Sequence, residues 1–292
     1  MKAILVVGDG MADRPVKELK GKTPLEASKK PTLDWIAANG ICGIMDPIAP
    51  GIPPGSDAAT LALLGYDPLK VYRGRGALEA IGSEIDIKPD DVAFRCNFAT
   101  VDKNLTVVDR RAGRIETEDA SRLTQRFKKI HLKEDLGVEI TFANTVQHRA
   151  ILRLRGPRLS MMVTDSDPQK VGKPVLRVSP IDGTPEAQRT ADIVNKLTQH
   201  FHEVLKKDPI NAERVRKGLP PANAVLSRGA GKLPDVIPLP LQYGIRAAVV
   251  AAMPLVKGVC KVAGMKLLDV PGATGTYDTD VVAKARAVVQ AV

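Results

Sequence analysis

The chain has 292 residues, 43 Lys and Arg against 33 Asp and Glu, and 44% hydrophobic content, the balance of a globular protein of one large or two ordinary domains. Disorder, collagen and a membrane-spanning helix are excluded, because apolar residues are plentiful and no apolar run approaches the roughly 18 residues a span needs. The N-terminal MKAILVV turns polar at Gly8-Asp9, too early for a secretory core, and Cys42, Cys96 and Cys260 are far apart, so a reducing, cytoplasmic setting without disulfides or a thiolate zinc site is expected.

Ala3 to Val7 is a continuous apolar run ending in Gly8-Asp9-Gly10, which predicts a buried parallel-type strand with Asp9 at its carboxyl end, where open α/β sheets bind ligands. Thr23-Pro24-Leu25-Glu26 combines a cap, a proline at the first helical position and a reciprocal glutamate, so a short helix begins there. A second helix from Thr32 to about Ala38 is expected to bury Leu33, Trp35 and Ile36 and to stop at Asn39-Gly40, with a strand over Ile41 to Met45. Pro50 to Gly55 delivers the chain to Ser56, read as the N-cap of a helix ending at Gly65.

From about Asp67 the texture changes: arginines interleave with strand-like runs at Leu105–Val108, Val138–Phe142 and Ala150–Leu154, the mark of a separate α+β unit. The best amphipathic helix opens at Thr184-Pro185 and presents Ile193, Val194, Leu197, Phe201, Val204 and Leu205 on one face. Alternation then resumes with strands at Ala224–Leu226, Ile245–Ala251 and Leu267–Val270, a helix at Pro254–Ala263 and a last helix from Thr279. The reading is an α/β protein: residues 1–72 and 221–292 form one α/β domain, and 73–220 an inserted α+β domain.

A formal charge of +10 suits nucleic acid, a membrane surface or a small anionic substrate. The basic residues are dispersed, and five Phe, four Tyr and one Trp show no clustering, which disfavours base stacking; no nucleic acid and no membrane partner are expected. Asp9 after a strand and Ser56 opening a helix could meet at one sheet edge, where a carboxylate holding a hard cation would activate a serine for phosphoryl transfer. A loop-satisfying Asp and an ordinary cap Ser fit the same spacing.

The segments GDGMADRPVKELKGKTPLEASKK, PGIPPGSDAATLALLGYDP, GRGALEAIG, FRCNFATVD, RRAGRI, QHRAILRLRG, TDSDPQKVGKP, LSRGAGKLPD and VPGATGTYDTD, in this order, resemble the archaeal-type cofactor-independent phosphoglycerate mutases of the alkaline phosphatase superfamily. The resemblance covers nearly the whole chain. It implies an alkaline-phosphatase-like sheet with flanking helices and an inserted α+β substrate domain. It also implies exchange of a phosphoryl group between the 2 and 3 positions of glycerate through a phosphoserine. Ser56 matches the nucleophile and Asp9 a metal ligand, with the Ser56 oxygen touching the same ion; the family uses two divalent ions, Mn²⁺ or Mg²⁺, with Zn²⁺ an alternative. Arg228 matches a substrate-gripping position, His148 and Arg149 face the same cleft, Lys257 sits near the transferring phosphoryl group, and Arg111 is taken as a further substrate contact. Arg110, Arg111 and Arg114 divide between phosphate reach and solvated surface, while His200 and His202 belong to a helix surface.

The sequence departs from the family pattern in three places. The D-x-x-x-H and Asp-His ligand segments that follow VPGATGTYDTD in the family are not in it, Thr60 stands where a His is expected, and Gln169 stands where the TDSDP segment continues with His. A fragment or split-gene product whose closing segment comes from a separate chain is therefore expected. A remnant that binds a small phosphorylated anion without turnover, and a basic nucleic-acid-associated protein, are the alternatives; a homo-oligomer is a further expectation.

Overall fold

The computed structural model describes residues 2–128, 130 and 137–292; His131 lies outside them. Thr23 forms the predicted capping box, its hydroxyl accepting from the Glu26 N–H at 3.2 Å while Glu26 Oε2 accepts from the Thr23 N–H at 2.7 Å, and α1 (Pro24–Ala27) follows. Then come α2 (Pro31–Asn39), α3 (Ser56–Leu63), α4 (Pro68–Val71) and α5 (Arg75–Gly82). The central strand β1 (Val92–Val101) leads to β2 (Val107–Asp109), α6 (Thr117–Thr124), β3 (Glu139–Asn144) and β4 (Arg149–Arg155). The amphipathic helix is α7 (Pro185–Leu205), capped by Thr184; α8 (Pro209–Arg216), β5 (Ala224–Gly231), α9 (Leu239–Tyr243), β6 (Ala248–Val249), α10 (Pro254–Val262), β7 (Lys266–Leu267) and α11 (Val281–Ala291) complete the order.

The fold is mixed α/β around a five-stranded antiparallel sheet. β1 is paired on one side with β4 and on the other with β5, β3 extends the β4 edge, and β2 pairs the end of β1. β5 therefore carries this sheet past residue 220, the boundary drawn from the sequence. Period-two alternation divides β1 between two faces. Val92, Phe94, Cys96 and Phe98 enter the main core with Leu123 of α6 and Ile193, Val194, Leu197 and Phe201 of α7, as the α7 pattern predicts. Ala93 packs with Ala80 of α5 and Ile151 of β4 in a separate cluster. The register sets Arg95 opposite Arg228 of β5 and Asn97 opposite Arg149 of β4.

α5 lies close to its neighbours because glycines remove the side chains that would hold them apart. A Cβ at Gly76 would stand 1.9 Å from the Ala93 carbonyl oxygen, and one at Gly258 of α10 would stand 1.8 Å from that of Leu78. Gly258→Ala must push α10 off α5, and a loss of about 1–3 kcal/mol is expected. Urea denaturation measures it.

Three expectations are corrected. Ala3–Val7 and Ile41–Met45 form no strand; Val6 is 84% exposed and Ile41 and Ile44 are fully so. A strand is completed by hydrogen bonds from neighbours, and among the described residues the only parallel pairing is the two-residue β6–β7 ladder. Helix α2 forms as predicted, but Leu33, Trp35 and Ile36 are exposed, Trp35 to 66%, so the apolar face of α2 is uncovered. His200 and His202 are partly buried instead of lying on a helix surface: the His200 ring meets Phe127 edge-on, and His202 Nδ1 lies 2.8 Å from the Asn223 carbonyl oxygen. No helix among the described residues is long and apolar enough to cross a membrane.

Candidate functional site: an arginine-lined pocket

The face of β1 turned away from α7 opens into a cavity of about 230 Å³. Arg95 and Asn97 of β1, Arg149 of β4 and Arg228 of β5 come from the sheet. Arg110, Arg111 and Arg114 come from the loop after β2, and Gln147 and His148 from the turn before β4. Four residues expected at a substrate site, Arg111, His148, Arg149 and Arg228, are thus brought together from three separate stretches of chain. The volume is below the roughly 300–1,000 Å³ of pockets for drug-sized ligands. A larger hollow of about 730 Å³ lies by Lys88, Asp91, Arg155 and Arg158, but its arginines are already paired, Arg155 with Asp86 and Asp91 and Arg158 with Glu186.

Six guanidinium groups line the small cavity. Their charge is only partly answered. Asp167, almost wholly buried, accepts two bonds from Arg110, Nε to Oδ1 at 3.0 Å and Nη2 to Oδ2 at 2.6 Å, and lies 4.0 Å from Arg228 Nε. Glu79 of α5 accepts from Arg75 at 2.6 Å and from Arg95 at 3.4 Å. Burial, partly opposed by Glu79, pulls Arg95 down to about 10, and burial also lowers Arg228 against the attraction of Asp167. Arg110 is raised by its bonds to Asp167, while burial raises the nearby Asp165, whose Oδ1 accepts from the Gly229 N–H.

The polar atoms left over gather around this cavity. Arg95 Nε, Asn97 Oδ1, His148 Nδ1, Arg149 Nε and Arg228 Nε are all buried without a hydrogen-bond partner. Leaving one such atom unsatisfied costs about 1–3 kcal/mol, so five around one cavity make it a place that water or a polar ligand stabilises. Four of the five are donors or a histidine nitrogen able to donate, which selects an acceptor-rich anion.

His148 is 7% exposed, and burial, then the repulsion of Arg149, Arg111, Arg95 and Arg114, lowers it to about 4. It is neutral near pH 7. Because its folded value lies below the ordinary 6.5, the stability it contributes is present above about pH 6.5 and is lost as pH falls through about 4. His148→Gln should flatten that acid limb by about 1–2 kcal/mol, discounted for water reaching the open pocket. Thermal melts at pH 7 and pH 4.5 give the comparison.

Ser56 is exposed at the first residue of α3, but Gly55, not Ser56, is the N-cap. Its neighbour Asp57 is buried, and Asp57 Oδ2 accepts from the Tyr72 hydroxyl at 2.6 Å. Burial, the bond to Asp57 and the fields of Asp57 and Glu79 raise Tyr72 well above an ordinary phenol, so it stays a donor. Tyr72→Phe strands the Asp57 carboxylate and is expected to cost about 1.5–3 kcal/mol, read by chemical denaturation.

Asp9 lies in an exposed turn, and among the described residues neither its carboxylate nor the Ser56 hydroxyl makes a hydrogen bond. Lys257 is half-buried on α10 and is not among the cavity-lining residues. No group of three or more His, Cys, Asp or Glu among the described residues could hold a metal ion. One carboxylate and one hydroxyl leave a hard cation mostly hydrated, so these residues alone do not fit the expected metal centre.

Arg95, Asn97, Gln147, Glu79 and Asp167 were not expected at the site. For the first two the signal was present in VAFRCNFATV, where Phe94, Cys96 and Phe98 alternate with Arg95 and Asn97. Arg110 and Arg114 both line the cavity.

Fold and pocket together place six guanidinium groups around a small cavity on an antiparallel sheet, chemistry complementary to a small anion. A family model described as 2,3-bisphosphoglycerate-independent phosphoglycerate mutase matches residues 37–211. The chain is 51% identical over 294 residues to the Methanopyrus kandleri protein of that name, covering 99% of this chain and 69% of the relative, and 47% identical over 290 residues to the Methanocaldococcus jannaschii protein numbered 1 under that name, with 99% and 69% covered. A Pyrococcus horikoshii structure aligns with TM-score 0.77 and 36% identity over 97% of this chain. A cofactor-independent phosphoglycerate mutase structure from Thermoplasma acidophilum aligns with TM-score 0.61 and 38% identity, covering 90% of this chain and 68% of that one. The chain belongs to the 2,3-bisphosphoglycerate-independent phosphoglycerate mutase family. It spans about 65% of the Pyrococcus horikoshii chain. The family is metal-dependent.

Proposed function

We propose that this chain takes part in phosphoglycerate mutation, interconverting 2-phosphoglycerate and 3-phosphoglycerate in the cytoplasm through a phosphoserine on Ser56. The observation that carries the reading is the set of five buried, unpartnered polar atoms around the arginine-lined cavity. Phosphoglycerate has a carboxylate and a phosphate on a three-carbon frame, so both ends accept from guanidinium groups. The pocket holds the glycerate through Arg111, Arg149 and Arg228, with His148 neutral and able to meet a hydroxyl. The phosphoryl group passes from a glycerate oxygen to Ser56 Oγ, and the same group returns to the other hydroxyl, so no oxidant or co-substrate is consumed. Lys257 is assigned to the transferring phosphoryl group by family match alone.

The family's ions would be Mn²⁺ or Mg²⁺, with Zn²⁺ the alternative, held in part by Asp9 and Ser56. Because the described residues do not assemble that centre, weak turnover by this polypeptide alone is expected. The exposed Val6, Trp35, Ile41 and Ile44 favour coverage by further polypeptide bearing the D-x-x-x-H and Asp-His segments; self-association is the competing arrangement.

The test is a calorimetric titration with 3-phosphoglycerate followed by intact-mass measurement after incubation with Mn²⁺. Saturable binding, with any phosphorylation sparse and lost in Ser56→Ala, is expected. No saturable binding refutes the reading.

A further inference from the structure

Three of the pocket's arginines come from one loop whose backbone is unusual. Ala112, Gly113 and Arg114 are consecutive residues at φ 48°, 65° and 55°, the left-handed region that two side-chain-bearing residues do not enter without support. Support comes from Asp109 at the end of β2. Its Oδ1 accepts from the Arg111 N–H and its Oδ2 from the Gly113 N–H, each at 2.7 Å. From beneath, the buried Arg214 of α8 donates to the Ala112 carbonyl oxygen at 2.9 Å and to that of Pro220 at 3.0 Å. The loop is pinned at both its amides and a carbonyl, while Arg110, Arg111 and Arg114 are directed to the cavity against their mutual repulsion.

We infer that Asp109 is a positioning residue for the anion pocket: its carboxylate folds the loop that presents three guanidinium groups, without lining the cavity itself. The inference rests on the reading of that pocket as the phosphoglycerate site. It carries an unusual sign. Removing a negative charge near a basic pocket ordinarily strengthens anion binding, because the local potential becomes more positive. If Asp109 acts through backbone geometry, Asp109→Ala weakens binding instead, since the loop relaxes out of the left-handed region and the arginines lose their common focus.

The experiment titrates 3-phosphoglycerate into the wild-type chain, Asp109→Ala and Asp109→Asn, with thermal melts and amide exchange on each. Asp109→Ala is expected to raise Kd by about tenfold or more, given what misplacement by an ångström costs a site. Exchange should quicken at Gly113 while the β1 amides stay protected. Asp109→Asn keeps a carbonyl oxygen for the Arg111 N–H and should lie between. Unchanged or tighter binding by Asp109→Ala overturns the inference. Should that variant fail to fold, Asp109→Asn decides: weaker binding at an unaltered melting temperature sustains the inference, and wild-type affinity rejects it. Absence of wild-type binding removes the phosphoglycerate reading and this inference with it, whereas wild-type binding that Asp109→Ala leaves intact removes the inference alone.

Discussion

Replacing Arg149 and Arg228 together by alanine is expected to abolish measurable affinity for 3-phosphoglycerate while leaving the fold standing. Neither guanidinium makes a hydrogen bond through its buried Nε, and Arg228 keeps only a 4.0 Å ion pair to Asp167, so neither holds the protein together through a hydrogen bond at that atom. A charge-assisted hydrogen bond contributes about 1.5–3 kcal/mol, so losing two of them lowers affinity by at least about a hundredfold. Arg149 and Arg228 stand on β4 and β5, on opposite sides of β1, but share one ligand, so the double variant measures any coupling between them. Calorimetry on both single variants and the double variant measures this, with the melting temperature as the control. A double variant that binds as the wild type does would place the anion elsewhere.

The second large effect has opposite signs in stability and in affinity. Asp167 is buried and holds Arg110 through two hydrogen bonds, with Arg228 close by. Asp167→Asn removes the countercharge and leaves guanidinium groups facing one another in a desolvated pocket. Breaking a buried pair in this way costs about 3–5 kcal/mol, so the ligand-free variant should melt well below the wild type. The same change releases Arg110 and Arg228 to an incoming anion, and 3-phosphoglycerate should bind more tightly and recover much of the lost melting temperature. Thermal melts across a ligand titration separate the two terms. Parallel losses of stability and affinity would mean that Asp167 shapes the pocket more than it neutralises it.

Much of the site was legible as chemistry before it was legible as structure. QHRAILRLRG and LSRGAG announce arginines beside strand-forming residues, and β4 and β5 carry Arg149 and Arg228 to facing positions along β1. The central strand was harder. Val92–Val101 is buried along its whole length yet includes Arg95, Asn97 and Thr100, so a search for continuous apolar runs passes over it. Arg95 and Asn97 are tolerated because the pocket and, for Arg95, the Glu79 carboxylate face them, and Thr100 because its hydroxyl donates to the Pro221 carbonyl oxygen at 2.7 Å.

The first 50 residues show the opposite case, apolar segments that are exposed. Ala3–Val7 has the composition of a buried strand, and α2 has an apolar face, but burial depends on what lies opposite, which local composition does not specify. Capping is more legible because it is settled within four residues: Thr23 with Glu26, and Thr184 before Pro185, both cap as their spacing requires. Ser56 shows the limit of that logic. With Gly55 directly before it, the helix takes the glycine as its cap and leaves the serine hydroxyl outside the turn's hydrogen bonding.

The most direct test is a crystal structure of the chain with 3-phosphoglycerate. Ligand oxygens within hydrogen-bonding distance of Arg149, Arg228 and His148, with the orphaned nitrogens engaged, are the predicted result. A ligand seated in the hollow by Lys88 and Arg155, with the arginine-lined cavity filled only by water, would contradict the account.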